Sequence, residues 1–373
     1  MKYLKFFSLV GVALLIFASL IQADTIELKD GKLLLRVKIQ KEGLLKVEYK
    51  KPGLPTQYVD SLRIKEIKYD STGNEIKAAK EAAVNSAFRE ASDLYLVVAD
   101  KSEHKPVFRA HCMYKAADYA KMAADWNGAV EGFTVFCNEY PDHRLYPAAL
   151  ENRAIALLNR GDAAKAKSGF ALFQKKVAEK GLPDYWKFEA EYWMNFMLER
   201  ENPSKASKQY RAIYDKTKAE YPSIANKARL RIGRVLMQQK QYKEAILLFD
   251  EIIDNRDPND AAEREVVSWA YLSRGHCVMN MPMKGDGKAE FKTALYDMLR
   301  SVYHYEDVGS TQAEGMFWAG KCFQSLGGPE SGKKWQALYR RIQREWPGTQ
   351  WAQLAAKEVS GSKVRRICCS PKI

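Results

Sequence analysis

The sequence predicts a mainly α fold, with six or seven stacked helical hairpins behind a small antiparallel β module. Two observations carry this. A small residue followed four places later by a large one returns about every forty residues between Ala91 and Tyr339. Before that array, residues 24–70 alternate apolar and polar side chains and are broken by turn signals. The first pattern is the period of an amphipathic helix, the second that of strands with one buried face.

Residues 1–23 stand apart. Lys2 and Lys5 precede the apolar run Phe6 to Ile21, and Ala23 is a small residue before Asp24. This is the layout of a secretory signal peptide cleaved after Ala23. The run is slightly short for a membrane span of about 20 residues, and no stop-transfer charges follow it. The chain is therefore expected to be exported, to the periplasm or cell envelope.

Residues 24–70 read as four or five short strands. Leu33, Leu35, Val37 and Ile39 form one apolar face, and Leu45, Val47 and Tyr49 another. Lys29-Asp-Gly31, Glu42-Gly43 and Lys51-Pro-Gly53 separate the runs. A unit of this size is marginal alone, so an SH3-like or Sm-like module packed on the first helices is expected. Asp70-Ser-Thr-Gly-Asn74 is the junction.

Residues 75–358 carry the repeat. The pairs are Ala91/Tyr95, Ala129/Phe133, Ala166/Phe170, Ala206/Tyr210, Ala245/Phe249, Ala294/Met298 and Trp335/Tyr339, spaced 38, 37, 40, 39, 49 and 41 residues apart. The long spacing contains Asn280-Met-Pro-Met-Lys-Gly-Asp-Gly287, an extended turn. A second apolar stripe precedes each pair, such as Ala228, Ile232, Gly233 and Leu236. Prolines 141, 183, 222, 258 and 347 follow the second helix and stop it. Antiparallel helices approach closely only over small side chains. One hairpin cannot cover its own apolar faces, so neighbours stack into an α-solenoid.

The combination of Gly233, Ala245, Phe249 and nearby Pro258 resembles the tetratricopeptide repeat (TPR). The resemblance covers roughly residues 75–358. Met298 in the sixth unit and Trp335 in the seventh depart from the pattern. The ending Tyr339…Trp346-Pro-Gly-Thr-Gln-Trp-Ala352 is similar to repeat ends in exported envelope TPR proteins. The resemblance implies partner binding on a concave surface lined by the first helix of each hairpin. Carried onto this sequence, that surface includes Tyr114, Asp118, Phe188, Lys227, Arg234, Trp269, His276, Phe317 and Lys321. The family's clamp for a peptide C-terminus is not reproduced, because Leu230 and Arg234 stand where Lys and Asn are required.

Catalysis finds no constellation. The five histidines, His104, His111, His143, His276 and His304, include no pair at zinc-site spacing, and no metal or cofactor is expected. Gly327-Gly-Pro-Glu-Ser-Gly-Lys333 follows a helix rather than a strand and reads as a turn. Six cysteines do not make a disulfide scaffold in 373 residues. The hairpin geometry allows Cys112 and Cys137 to face each other as a disulfide, while Cys277 and Cys322, on neighbouring packed helices, are too far apart to bridge.

Without Lys2 and Lys5 the chain has 58 basic and 46 acidic residues, a net charge of +12. The tail 359–373, with Cys368-Cys369 and four basic residues, lacks periodicity and is expected to be disordered. The sequence thus predicts a non-catalytic scaffold for a protein or peptide partner in the cell envelope, with no nucleic acid and no small-molecule substrate. Alternatives are an anionic cell-wall polymer or lipid held by the basic charge, or a platform subunit of an envelope enzyme complex.

Overall fold

The computed structural model describes residues 23–70, 73–101, 106–255, 261–283, 285–306 and 308–360. The expected export signal, residues 361–373 of the expected tail with Cys368 and Cys369, His104 and the expected helix stop at Pro258 lie outside these residues; Val359, placed in the tail by the sequence reading, instead ends the last helix. The chain forms two compact units, Met1–Trp186 and Lys187–Ile373.

The first unit begins with five strands: β1 (Asp24–Leu28), β2 (Leu33–Glu42), β3 (Lys46–Lys50), β4 (Gln57–Asp60) and β5 (Ile64–Lys68). They pair antiparallel in the order β4-β3-β2-β1-β5, with a 3₁₀ turn at Ser61–Arg63 before the last strand. The long β2 pairs with β1 through one half and with β3 through the other. The small antiparallel module expected over residues 24–70 is thus present as a five-stranded sheet. Val37, Ile39, Val47, Val59 and Ile67 fill its interior.

One expectation fails within β2. Leu33 and Leu35 do not share the inner face with Val37 and Ile39; they are 50% and 56% exposed. The pairing slips between Asp24↔Val37 and Ile26↔Leu34. Arg36 adopts a positive φ of 55° inside that slip. An extra residue in one strand reverses the alternation, so Leu34 turns inward instead.

The helices of the first unit are α1 (Asn74–Val84), α2 (Phe88–Asp100), α3 (Pro106–Met122), α4 (Trp126–Glu139), α5 (Tyr146–Asn159) and α6 (Ala163–Glu179), followed by the start of α7 (Asp184–Glu199). The second unit continues α7 and adds α8 (Pro203–Thr217), α9 (Pro222–Gln238), α10 (Tyr242–Asp254), α11 (Ala261–Asn280), α12 (Lys288–Tyr303), α13 (Gly309–Leu326), α14 (Pro329–Glu345) and α15 (Gln350–Val359). Odd-numbered helices from α1 to α13 open a hairpin and even-numbered ones close it. Each of the seven repeat pairs falls on the closing helix. Every pair is buried except that Trp335 is only partly covered, packing against the last core cluster.

The small residues sit where helices cross. A methyl group on Gly233 of α9 would lie 2.5 Å from the Phe249 ring of α10, and one on Gly320 would lie 2.3 Å from Tyr339. In the second and third hairpins the glycine is on the closing helix instead: Gly132 faces Ala117 and Gly169 faces Ala154. Pro203, Pro222 and Pro329 occupy the first residue of a helix, where the missing N–H is not needed. Pro222 therefore starts α9 as much as it stops α8. Gly327 and Gly328 take positive φ values of 71° and 85°, and they make the turn into α14.

The β module is fastened to the helices of its own unit by a buried ionic cluster. The Glu42 carboxylate, at the end of β2, accepts hydrogen bonds from the Tyr69 hydroxyl and from Arg144 Nε. His143 Nε2 lies 3.4 Å away. The backbone joins in: Arg144 N–H donates to the Glu42 carbonyl at 3.3 Å, and Gly43 bridges to His143. Burial alone would raise the Glu42 carboxyl, but the Arg144 charge and the hydrogen bonds outweigh it and hold the group well below the carboxylate range. His111 packs beside the cluster on the Tyr69 ring at 5.0 Å, and burial lowers its imidazole to about 3.

Cys112 and Cys137 form no disulfide; both thiols are free and buried. They face different neighbours. Cys112 lies toward Tyr95 of α2 and Lys80 of α1, whereas Cys137 lies toward Tyr146 and Arg153 of α5. Burial pushes each thiol up to about 12.

Candidate partner-binding site

The opening helices are tied to one another by a ladder of polar contacts about one repeat long. In the first unit, Asn152 of α5 donates to the Tyr114 hydroxyl of α3 at 3.1 Å and accepts from Lys121 at 2.9 Å. In the second, Lys227 of α9 reaches Glu189 of α7 at 2.7 Å, and Asn226 reaches Glu263 of α11 at 2.9 Å. His276 of α11 lies 3.3 Å from Glu314 of α13, and Lys321 donates to Glu358 of α15 at 2.6 Å. Side chains at equivalent positions of successive repeats stand level, so each reaches one helix across. Several residues expected to line a binding surface are rungs of this ladder.

The expected site residues thus divide. Tyr114, Lys227, His276 and Lys321 are rungs. Asp118 pairs with Lys121 at 2.8 Å. Phe188 packs on Tyr221 at 6.1 Å, and Phe317 is buried between Tyr339 and Trp351, 5.4 Å from each. Arg234 and Trp269 differ. The Arg234 guanidinium lies over the Trp269 ring, 4.9 Å from its centre. It has no hydrogen bond or ion pair among the described residues. Arg231, one turn earlier, is bound in two-point fashion by the buried Glu199 at 2.6 and 2.9 Å.

The electrostatics follow. Burial is the chief cause that lowers Arg234 to about 10, and the Arg231 charge adds to it; Glu314 and Glu199 oppose it from farther off. Arg234 still carries its proton at neutral pH. It is a half-buried cation with an aromatic floor and no carboxylate in contact. Sequence reasoning did not single out Trp318, whose indole N–H is buried without a partner among the described residues and which packs edge-on to His276 at 4.8 Å. Its place beside Phe317 hid it, since two adjacent aromatics on a helix read as packing. No cluster of metal-ligating side chains occurs among the described residues.

Residues 111–143 and 227–259 match a family model described as a tetratricopeptide repeat. These are the second and fifth hairpins, so the protein carries TPR repeats in a mainly α, TPR-like solenoid fold behind a five-stranded antiparallel sheet. Among solved structures, a tetratricopeptide repeat protein from Parabacteroides merdae is 14% identical, with 76% of this chain aligned to 96% of that one at a TM-score of 0.46. PilW, described as a widely conserved type IV pilus biogenesis factor, is 16% identical over 68% of this chain and all 100% of its own, at a TM-score of 0.41. NprR in complex with its cognate peptide NprX is 11% identical, with 78% and 88% covered and a TM-score of 0.39. No curated protein sequence matches the chain.

Proposed function

We propose that the protein is a non-catalytic interaction scaffold of the cell envelope. Its partner sets an acidic group beside an apolar side chain against Arg234 and Trp269 on the opening-helix face of the second unit. The repeat fold suggests a protein-binding role, and the single observation that directs it to this place is Arg234. A cation withdrawn from water without a counter-charge is unfavourable in the free protein. A partner carboxylate would recover that energy through a two-point bond, with the indole as an apolar floor. The neighbouring opening-helix positions are satisfied internally and offer less.

The export reading rests on residues 1–23, and a mature protein beginning at Asp24 in the envelope fraction would support it. For the site, the mature chain is immobilised and challenged with envelope extract. Arg234→Glu and Trp269→Ala are expected to lose the captured partner at least tenfold, and Arg234→Lys to retain part of it. If both variants recover the wild-type partners, the site is misplaced. If capture is lost with salt but not with these substitutions, the basic surface and an anionic polymer or lipid are the better reading.

A further inference from the structure

The first unit holds a second site of different chemistry. Between α4 and α6, floored by α5, lies an open groove of about 480 Å³. Val130, Leu157, Gly169 and Leu172 make its apolar surface. Thr134 and Ser168 also line it, but their hydroxyls donate to the Val130 and Ala164 carbonyls of their own helices at 2.6 and 3.2 Å. What these two residues show the groove is therefore largely hydrocarbon.

The remaining polar features all have one sign. Arg153 of α5 enters the groove and has no hydrogen bond or ion pair among the described residues. In the second and fifth hairpins the equivalent positions hold Ala116 and Ile232, both buried. A cation thus replaces a core residue in this hairpin alone of the three. Lys165 stands at the rim. The first turn of α6 also opens onto the groove, and its expected cap is missing: Asp162 makes no capping bond, because Arg160 holds its carboxylate at 2.5 and 3.0 Å. None of the lining residues is acidic.

We propose that this groove binds an alkyl monocarboxylate of the fatty-acid class, its head on Arg153 and its chain along α4 and α6. Charge complementarity selects an anion, and a planar carboxylate suits a guanidinium in two-point contact. The walls select an alkyl body over a peptide. Apart from the first turn of α6 they are helix flanks whose backbone groups are spent on their own helices. An extended peptide laid there would leave its amides unpaired on the buried side, whereas a hydrocarbon chain has none to satisfy. The inference is independent of the Arg234 site, which is in the other unit.

The test is calorimetric titration of the mature chain with dodecanoate below its micellar concentration. Dodecanol and a short apolar peptide with a free C-terminus serve as comparison probes. Dodecanoate is expected to bind at least tenfold more tightly than dodecanol, and Arg153→Gln to remove that difference. Arg153→Lys should keep most of it. Ser168→Trp, on an exposed wall position, should abolish binding of dodecanoate by filling the groove, with the thermal transition showing that the variant is folded. Dodecanoate binding unchanged in Arg153→Gln and Ser168→Trp overturns the proposal. So does dodecanol binding equal to dodecanoate, or the peptide binding more tightly than either.

Discussion

Arg144 and Arg234 are both drawn out of solvent, and they are treated in opposite ways. Arg144, whose side chain is 9% exposed, meets Glu42, which is also held by Tyr69 and approached by His143. Arg234 meets an aromatic ring and no carboxylate. A cation surrounded by partners is part of the joint that holds two elements together. A half-buried cation without partners carries an unspent interaction. The difference separates structure from availability where burial alone does not.

The largest test of that contrast is removal of the counter-charge at the joint. Glu42→Ala leaves Arg144 buried without its carboxylate and the Tyr69 hydroxyl without its acceptor. Loss of one partner of a buried pair costs about 3–5 kcal/mol. Chemical denaturation followed through the aromatic residues of the first unit should show a loss in that range. A loss below about 1 kcal/mol would mean that apolar packing alone docks the β module. Arg234→Ala, measured in the same way, should change stability by no more than about 1 kcal/mol, because no carboxylate is stranded.

Acid should act on the joint before it acts on the Arg234 site. In the folded chain His111 stays neutral down to about 3, while the unfolded chain takes up the proton near 6.5. Between those values the unfolded state binds more protons, so stability falls as pH falls, by at most about 1.4 kcal/mol per pH unit. Glu42 adds a second loss of the same sign. Its folded value is depressed, so its contribution is complete above about 4.5 and fades as pH drops further. Denaturation midpoints at pH 7, 5.5 and 4 should therefore decline in the wild type, by about 1 kcal/mol over the first interval. His111→Gln should flatten that interval and cut the decline over the second to the smaller part that Glu42 supplies. An unchanged first interval would mean that the proton enters elsewhere.

The same contrast explains what was legible in the sequence. The hairpins were, because Ala245 and Phe249 and their counterparts obey a local periodicity that stacking then reuses in every repeat. The β module was legible in its turns and in β3. It was not legible in β1, where Asp-Thr-Ile-Glu-Leu alternates over only two apolar positions, Ile26 and Leu28, too few to mark a strand. It failed again at Arg36, where a bulge reversed faces without any sequence mark. The Glu42 joint was hidden because Glu42-Gly43 reads as an exposed turn, and its partners lie 27 and about 100 residues away. At the candidate site the family resemblance placed residues on the opening helices but did not tell a rung such as Lys227 from an open cation such as Arg234. That distinction depends on what stands one repeat later on the neighbouring helix, which a pattern within one helix cannot show.

The smallest expected effect is the most discriminating. If Arg234 is retained for a partner, the free protein should gain by losing its charge. Its folded value near 10 lies below the ordinary 12.5, so at neutral pH the folded state holds the proton less favourably than the unfolded state does. For a base lowered in this way, the penalty is complete below about 10 and disappears as pH rises toward 12.5. Arg234→Met keeps an unbranched apolar stem over Trp269 and removes the charge. It should raise stability at pH 7 by about 1 kcal/mol, well below the full shift, after allowance for solvent screening and the lost ring contact. The same variant should capture partner poorly. A clear gain in stability together with a loss of capture is the signature of a residue kept for binding. A loss of stability greater than about 1 kcal/mol would instead make Arg234 a member of the fold, like Arg144, and the contrast between the two would collapse.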